Sequence, residues 1–158
     1  MRRLVAIIAG LLVGGCASLP ADYERGESRA VAPVQTAATT LGRAGRDAQQ
    51  AHPGQSAFRP LPSGVDALVA RMLLADAAER SLDVQYYIWR DDLTGRLFAH
   101  ALLRAADRGV RVRILVDDVG TQANDESLLS LDAHPQIEVR LFNPVASRTF
   151  RGLGMLSD

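Results

Sequence analysis

Two acidic pairs are the residues of this chain that are best placed to do chemistry. Asp91-Asp92 and Asp117-Asp118 each follow a segment with the apolar pattern of a β-strand. Carboxylates at such positions can line a site or orient a catalytic histidine, because sites in parallel sheets gather where strands end. For Asp117 and Asp118, a role in a site and a structural role in a turn both stay open, since Asp is also favoured in turns. We expect Asp91 and Asp92 to cap the helix that begins near Leu93.

Catalytic groups other than carboxylates are scarce. All 18 basic residues are arginine, so the chain contains no lysine, and its three histidines are His52, His100 and His134. His100 lies inside a predicted helix and His134 at a helix end, so we expect structural or surface roles for all three. There is no Gly-x-Ser-x-Gly, second cysteine or Gly-Lys-Ser/Thr motif, which argues against serine hydrolysis, zinc ligation and a phosphate loop. We predict no catalytic residue, metal or cofactor in this chain.

Composition limits the chain to one modest domain. It has 158 residues, and a hydrophobic fraction of 47% is typical of a globular protein. The formal net charge is +0 and the arginines are scattered, so we expect no nucleic-acid partner.

The only cysteine, Cys16, ends an N-terminal targeting pattern. Arg2 and Arg3 precede an apolar run of about ten residues and then small residues, as in a secretory signal peptide. The run is shorter than the roughly 20 residues of a membrane span. The segment LVGGC resembles the bacterial lipobox, which implies cleavage after Gly15 and acylation of Cys16. The alternatives are a plain signal peptide with a fortuitous cysteine, or a short membrane anchor.

An acylated Cys16 would hold the protein on a membrane, because more than one acyl chain anchors stably. By analogy with enteric bacteria, Ala17 after the cysteine favours the periplasmic side of the cell envelope and the outer over the inner membrane. We predict residues 1–15 as a lipoprotein signal peptide and residues 16–60 as the lipidated cysteine and a flexible or loosely packed tether. Phe58 and Leu61 are expected to pack on the edge of the domain at residues 61–158.

The elements that must position the acidic pairs alternate between helix and strand. Apolar spacing predicts helices over 64–80, 93–108 and 124–133, and strands over 82–88, 110–116 and 137–142. The first helix has one apolar face, formed by Val65, Leu68, Val69, Met72 and Leu73. Gly109 takes the usual position of a left-handed C-cap. The order αβαβαβ predicts an α/β fold with a partial parallel sheet and flanking helices. Tyr86, Tyr87 and Trp89 are expected in the core.

Five segments within residues 77–144 together resemble the phospholipase D superfamily, and its bacterial cardiolipin synthase C-type branch in particular. In chain order they are AAERSLDVQYYIW, DLTG, RGVRVR, VDDVG and IEVRLFNP. The resemblance covers about residues 62–144, which correspond to the first part of the first of the two repeats in that family. It implies the opening part of a phospholipase D-type domain.

The resemblance implies phosphatidyl transfer through a covalent phospho-histidine. Each half of such a protein supplies His-x-Lys and a downstream Asp; one histidine attacks phosphorus and the other protonates the leaving alkoxide. Covalent catalysis divides one displacement into two easier steps, and fixed lysines stabilise charge on the phosphoryl oxygens. The family requires no metal. In this scheme Asp117 and Asp118 would line the phosphate-alcohol site.

This sequence departs from the family pattern because it has no lysine and therefore no His-x-Lys. We expect a truncated N-terminal part of a membrane-anchored enzyme that is inactive alone. The implied partners are membrane phospholipids and the missing C-terminal part, or a complementary chain. The alternative is a non-catalytic, lipid-anchored binding lipoprotein.

Overall fold

Helix and strand alternate along the part of the chain that the computed structural model describes, residues 26–121 and 125–144. One compact unit runs from Arg29 to Asn143. Its strands are parallel and lie in the order β1-β2-β3, which confirms the predicted α/β fold. The elements are α1 (Pro33–Thr36), α2 (Thr40–Ala51), α3 (Gly64–Ala77), β1 (Ser81–Tyr86), α4 (Leu93–Asp107), β2 (Arg111–Asp117), α5 (Asp125–Asp132) and β3 (Ile137–Phe142).

One face of the sheet carries the hydrophobic core. The register places Val84, Ile114 and Val139 side by side across the three strands. Alternate residues of a strand point to the same face, so every second position of β2 is buried there. The buried side chains that meet on this face include Phe98, Ala101, Leu102 and Ala105 of α4, Val112, Ile114 and Val116 of β2, and Leu128 and Leu131 of α5.

Helix α4 has well-formed ends that agree with its sequence. Asp92 is its N-cap, and its C-terminal turn closes with Gly109, whose backbone N–H donates to the Ala106 carbonyl at 2.8 Å. Gly109 has φ of 86°, which confirms the predicted left-handed cap. The chain can therefore turn directly from α4 into the central strand β2.

The side chain of Arg108 joins the ends of two helices. Its Nη2 atom donates to the carbonyl oxygens of Ala75 at 2.8 Å, Asp76 at 3.1 Å and Ala78 at 3.3 Å. These carbonyls belong to the last turn of α3 and the residue that follows, where helical partners are no longer available. Arg108 therefore caps α3 from α4 and fixes how the two helices meet.

The second face of the sheet carries a row of charged residues. Asp83, Arg113 and Glu138 are paired in register across β1, β2 and β3. Arg113 donates from Nε and Nη2 to the two carboxylate oxygens of Asp83, each at 2.7 Å. A bidentate pair of this kind favours one register, because a slip of one residue would separate the charges.

This ion pair predicts a small pH-dependent contribution to stability. The hydrogen bond from Arg113 holds the pKa of Asp83 below its ordinary value. Asp83→Asn should lower the free energy of unfolding at neutral pH by about 0.5–1 kcal/mol, as for exposed ion pairs. Because the pKa of Asp83 is lower in the folded than in the unfolded state, the ion pair stabilises the folded state fully at a pH above the unfolded-state pKa. This stabilisation is lost below about pH 4, as the pH falls through the folded-state pKa.

The measurement is urea unfolding of the wild type and Asp83→Asn at neutral pH and near pH 3. The difference between them should shrink at the lower pH. Asp76→Asn, which breaks a 3.2 Å surface pair with Arg104, is the matched control and should have a smaller effect at neutral pH. A difference that does not change with pH would contradict this role of Asp83.

Helix α3 differs from its prediction in extent and in orientation. It ends at Ala77 rather than at residue 80, because the next residue is already extended. Leu68 and Met72 pack on the core as expected. Val65, Val69 and Leu73 were predicted to share that face, but they are 70%, 48% and 63% exposed. These three residues, spaced four apart, form an aliphatic ridge on the outer side of the helix.

The segment before α3 contains two helices that the sequence pattern did not indicate. Neither α1 nor α2 has a buried residue, and apart from Leu41 the apolar residues of α2 are alanines, which give only a weak signal for a core-facing helix. Local hydrogen bonds define α2 instead: the Thr39 hydroxyl accepts from the Gly42 N–H at 3.0 Å. The expectation that Phe58 and Leu61 pack on the domain is wrong, because they are 92% and 44% exposed.

Candidate functional site

The carboxyl end of β2 is a polar turn built around Asp117. Its Oδ1 accepts hydrogen bonds from the backbone N–H groups of Val119 at 2.9 Å and Gly120 at 3.2 Å. Its Oδ2 accepts a longer bond, 3.4 Å, from Nδ2 of Asn143 at the end of β3. Asp117 therefore caps the turn after β2, the structural one of its two predicted roles. Its role in lining a phosphate site stays a prediction.

Asp118 and Thr121 complete a buried polar group at the same end of the sheet. Asp118 is 3% exposed and Thr121 is 4% exposed. The Asp118 N–H donates to the Phe142 carbonyl at 3.0 Å, which continues the pairing of β2 with β3 by one residue. The Trp89 N–H donates to the Thr121 hydroxyl oxygen at 3.4 Å. With Asp117, these are the buried polar residues of the described chain, and all three lie where the central strand ends.

Of the other acidic pair, Asp92 has the capping role that we predicted, and Asp91 does not. Asp92 Oδ1 accepts from the Gly95 N–H at 2.9 Å and from the Thr94 hydroxyl at 2.7 Å. The Thr94 hydrogen bond, followed by that of Gly95, holds the pKa of Asp92 below its ordinary value. Asp91 lies 3.2 Å from Nη1 of Arg96 in a surface ion pair. Asp92 is therefore the N-cap of α4, and Asp91 supports its first turn.

The same turn motif follows both β1 and β2, and the sequence analysis missed it. Residues 92–95 and 117–120 both have the pattern Asp-x-x-Gly, in which the Asp carboxylate accepts from the Gly N–H. A Cβ on Gly95 would overlap the carbonyl oxygen of Arg90, and a Cβ on Gly120 would overlap that of Tyr87. Both turns thus pack against the loop at 87–91 and hold it between them. The signal was present as two Asp-x-x-Gly spacings, one directly after the second predicted strand and one four residues after the end of the first.

The three aromatic residues around the end of β1 have different environments. Trp89 is 5% exposed and packs on Tyr86, with ring centroids 5.0 Å apart, and on Phe98 at 5.9 Å. Burial raises the pKa of Tyr86, and the Arg71 guanidinium lies 5.7 Å from its ring centroid. The prediction that Tyr87 is in the core is wrong, because it is 70% exposed. Strand β1 ends at Tyr86, so Tyr87 begins the loop and lies outside the core.

The three histidines have structural or surface positions. His134 Nε2 lies 3.3 Å from Oδ1 of Asp107, and its Nδ1 accepts from the Gln136 N–H at 3.1 Å. His134 thus joins the end of α4 to the start of β3, which is a structural role. His100 is exposed on α4 and His52 is the C-cap of α2. Within residues 26–121 and 125–144, no cluster of three or more His, Cys, Asp or Glu is placed to hold a metal ion.

Comparison with known proteins assigns this arrangement to a family. Residues 72–153 match the family described as "Cardiolipin synthase, PLD-like domain". The match covers more than half of the chain, including all three strands and both Asp-x-x-Gly turns. The chain belongs to the phospholipase D-like family of cardiolipin synthases. The predicted resemblance is thereby confirmed, and the parallel sheet is part of a phospholipase D-type domain.

Individual relatives of the chain include two cardiolipin synthases. The chain is 57% identical to Cardiolipin synthase C of Escherichia coli K12 over 107 residues, which are 68% of this chain and 23% of that protein. It is 34% identical to an uncharacterized Helicobacter pylori J99 protein over 160 residues, which cover 100% of this chain and 32% of that protein. It is 32% identical to a cardiolipin synthase of Oceanobacillus iheyensis over 69 residues, 44% of this chain and 14% of that protein. The match therefore spans less than a third of the length of each of these relatives.

Proposed function

We propose that this chain is the N-terminal portion of a membrane-anchored phosphatidyltransferase or phosphodiesterase of phospholipase D type, which transfers phospholipid headgroups through a phospho-histidine. The observation that carries the proposal is the 57% identity to Cardiolipin synthase C. The buried Asp117-Asp118 turn supports it, because the carboxyl end of a parallel sheet is where such a fold places its site. Asp117 and Asp118 would support the site wall against which the phosphodiester binds.

The proposed chemistry needs groups that this sequence does not contain. A phospho-histidine route needs a positioned histidine and fixed cations at the phosphoryl oxygens. The chain has no lysine, and His134 of the described domain is hydrogen-bonded within the structure. We therefore propose that the chain alone is inactive and that residues outside this sequence supply the His-x-Lys motifs. The substrates would be membrane phospholipids, and the reaction would need no metal.

A chimera tests the proposed activity. The 107 matched residues of E. coli Cardiolipin synthase C are replaced by the corresponding residues of this chain. We expect the chimera to restore cardiolipin in a strain without its own cardiolipin synthases, measured by lipid mass spectrometry. This chain alone should give no product above background.

Two outcomes would contradict the proposal. A chimera present in the membrane fraction at the level of the parent enzyme, but inactive, would favour the binding lipoprotein instead. Product formed by this chain alone would contradict its proposed inactivity. The parent enzyme and the empty vector set the upper and lower limits of the assay.

The membrane anchor is a separate part of the proposal. Within the described residues, no helix has both the length and the apolar character needed to cross a bilayer. We propose that acylated Cys16 attaches the protein to the bacterial cell envelope, with the outer membrane favoured over the inner. Cys16→Ser should remove the mass of the acyl groups and the acyl anchor, as measured by mass spectrometry and membrane fractionation. A variant of unchanged mass and unchanged membrane retention would contradict the lipoprotein assignment.

A further inference from the structure

Residues 29–52 lie on the domain without contributing to its core. They include α1 and α2, and they belong to the compact unit that runs from Arg29 to Asn143. No residue from 26 to 62 is buried. Hydrophobic burial, the dominant favourable term in folding, therefore contributes little to holding this segment in place. We call residues 29–52 the strap.

A carboxylate of the domain holds the N-terminus of α2. The Thr40 N–H donates to Oε1 of Glu79 at 2.6 Å, and Glu79 lies between α3 and β1. Negative charge is favourable at this end of a helix, because the first N–H groups have no helical partner and the helix dipole is positive there. The hydrogen bond from Thr40, with the nearby guanidinium groups of Arg43 and Arg80, holds the pKa of Glu79 below its ordinary value. Glu79 is therefore charged at neutral pH and caps a helix of the strap.

A guanidinium of the sheet holds the start of the strap. Nη2 of Arg111, the first residue of β2, donates to the Arg29 carbonyl at 2.7 Å. This contact and the one between Thr40 and Glu79 are both exposed. Water competes for exposed hydrogen-bonding groups and salt screens their charges, so each contact contributes modestly to stability.

The strap is joined by its own hydrogen bonds into one folded piece. Arg43 and Arg46 of α2 donate from their guanidinium groups to the carbonyl oxygens of Ala38 and Ala37. These carbonyls lie in the turn between α1 and α2. Both helices should therefore dock on the domain, or leave it, together.

Helix α2 is too short to be stable without the domain. It has 12 residues, and Gly42 and Gly45 are among them. Isolated helices shorter than about 12–15 residues are marginal in water even when they are rich in alanine, and glycine weakens them further. The strap therefore has two states: it is helical when it is docked, and it loses its helix when it is released.

We propose that the strap is a releasable part of the tether, and that its docking sets how far the domain can lie from the membrane anchor. This inference rests on the proposed acylation of Cys16. When the strap is docked, the 13 residues from Ala17 to Arg29 form the link, which can span at most about 45 Å. When it is released, the 47 residues from Ala17 to Ser63, the N-cap of α3, can span at most about 160 Å. The docked strap would thus keep the domain close to the bilayer.

Amide hydrogen exchange of the full chain, followed by mass spectrometry of its peptides, tests the docking. Glu79→Ala removes the carboxylate that caps α2, and Glu79→Gln keeps an acceptor but removes the charge. Asp76→Asn is the matched control, because the Asp76 carboxylate pairs with Arg104 of α4 and not with the strap. Gly45→Ala should act in the opposite direction, since a Cβ there would have no atom within 4 Å and alanine favours a helix.

Glu79→Ala should speed exchange in residues 40–51 by at least about tenfold, because an undocked helix of this length is marginal. Glu79→Gln should have a smaller effect in the same direction. Gly45→Ala should slow exchange there by about fivefold. Asp76→Asn should leave it unchanged. Exchange in α4, which carries the buried Ala101 and Leu102, should be the same in every variant and shows that the domain stays folded.

Energy transfer to the membrane measures the reach of the tether in the acylated chain. Acylation consumes the thiol of the only cysteine, so His100→Cys, exposed on α4, becomes the one site for a thiol-reactive donor fluorophore. The protein is bound to phosphatidylethanolamine–phosphatidylglycerol vesicles that contain a lipid with an acceptor on its headgroup. Adding Glu79→Ala should lower the transfer efficiency at least about twofold, because the longer link lets the domain lie farther from the bilayer. Adding Asp76→Asn should leave it unchanged.

Three results would overturn the proposal in separable ways. Equal exchange in residues 40–51 of the wild type and Glu79→Ala, or equal effects of Glu79→Ala and Asp76→Asn, would show that Glu79 does not hold the strap. Faster exchange without a fall in energy transfer would show that the strap does not set the reach. Labelling of the chain without an introduced cysteine would show that Cys16 is not acylated, which removes the anchor and the reach, while hydrogen exchange still decides whether the strap is docked. The chimera measures transfer activity separately.

Discussion

Replacing Gly120 by alanine should lower the free energy of unfolding by about 3 kcal/mol, at the upper end of the usual cost of overpacking. The added Cβ would overlap the carbonyl oxygen of Tyr87, and Cγ1 of Ile88 would lie only 3.3 Å away. The carbonyl is part of the backbone and cannot turn aside as a flexible side chain can. The turn must therefore move away from the 87–91 loop, which weakens the hydrogen bond between Gly120 N–H and Asp117 Oδ1.

Two other glycines provide matched controls. A Cβ on Gly64 would have no atom within 4 Å, so Gly64→Ala should be neutral or stabilising by about 0.4–1 kcal/mol. Gly109 also has open space but a φ of 86°, so Gly109→Ala should cost about 1–2 kcal/mol through backbone strain alone. Denaturant unfolding of the three variants measures their free energies of unfolding and so the order of their stabilities. A Gly120→Ala variant that is as stable as Gly64→Ala would show that the turn does not pack on the loop as described.

Arg108→Ala should lower the free energy of unfolding by about 2 kcal/mol, within the range for hydrogen bonds to a charged group. The substitution leaves the carbonyls of Ala75, Asp76 and Ala78 without the guanidinium that caps them. Ala75 is 1% exposed, so water reaches this end of α3 poorly. Loss of the cap should loosen the contact between α3 and α4 and should increase amide hydrogen exchange in the last turn of α3.

Arg104→Ala is the matched control, because Arg104 is on the same helix and contacts the same region through a 3.2 Å surface pair with Asp76. An exposed pair of this type contributes about 0.2–1 kcal/mol. Arg108→Lys should recover only part of the stability, since an ammonium group lacks the planar fork of the guanidinium. Equal destabilisation by Arg108→Ala and Arg104→Ala would contradict the capping role of Arg108.

Much of the fold could be predicted from the sequence because its signals are local. Strand β3 begins and ends where predicted, and the caps of α4 at Asp92 and Gly109 are as expected. These features depend on alternation, on a side chain that accepts from the next turn, and on the conformational freedom of glycine. The helices α1 and α2 were not predicted in this way, because they bury nothing and the apolar residues of α2 other than Leu41 are alanines.

The predictions that failed concern which side of an element faces the core. The apolar residues of α3 look like one face along the sequence, yet the structure packs the partly buried Leu68 and Met72 on the core and exposes Val65 and Leu73. Tyr87 continues the strand pattern, but pairing with β2 stops one residue earlier, at Tyr86. In both cases the deciding contact comes from another element, and periodicity cannot report it.

The acidic pairs also show which features could be predicted from the sequence and which required the structure. The residue pattern was sufficient to predict a parallel α/β domain that resembles phospholipase D, with carboxylates after its strands and without lysine. The roles of those carboxylates required the folded chain: Asp92 and Asp117 each accept from a glycine three residues later, and both turns pack on one loop. The reason is physical, since residue order sets the local hydrogen-bonding groups, while strand pairing sets which of them meet at the end of the sheet.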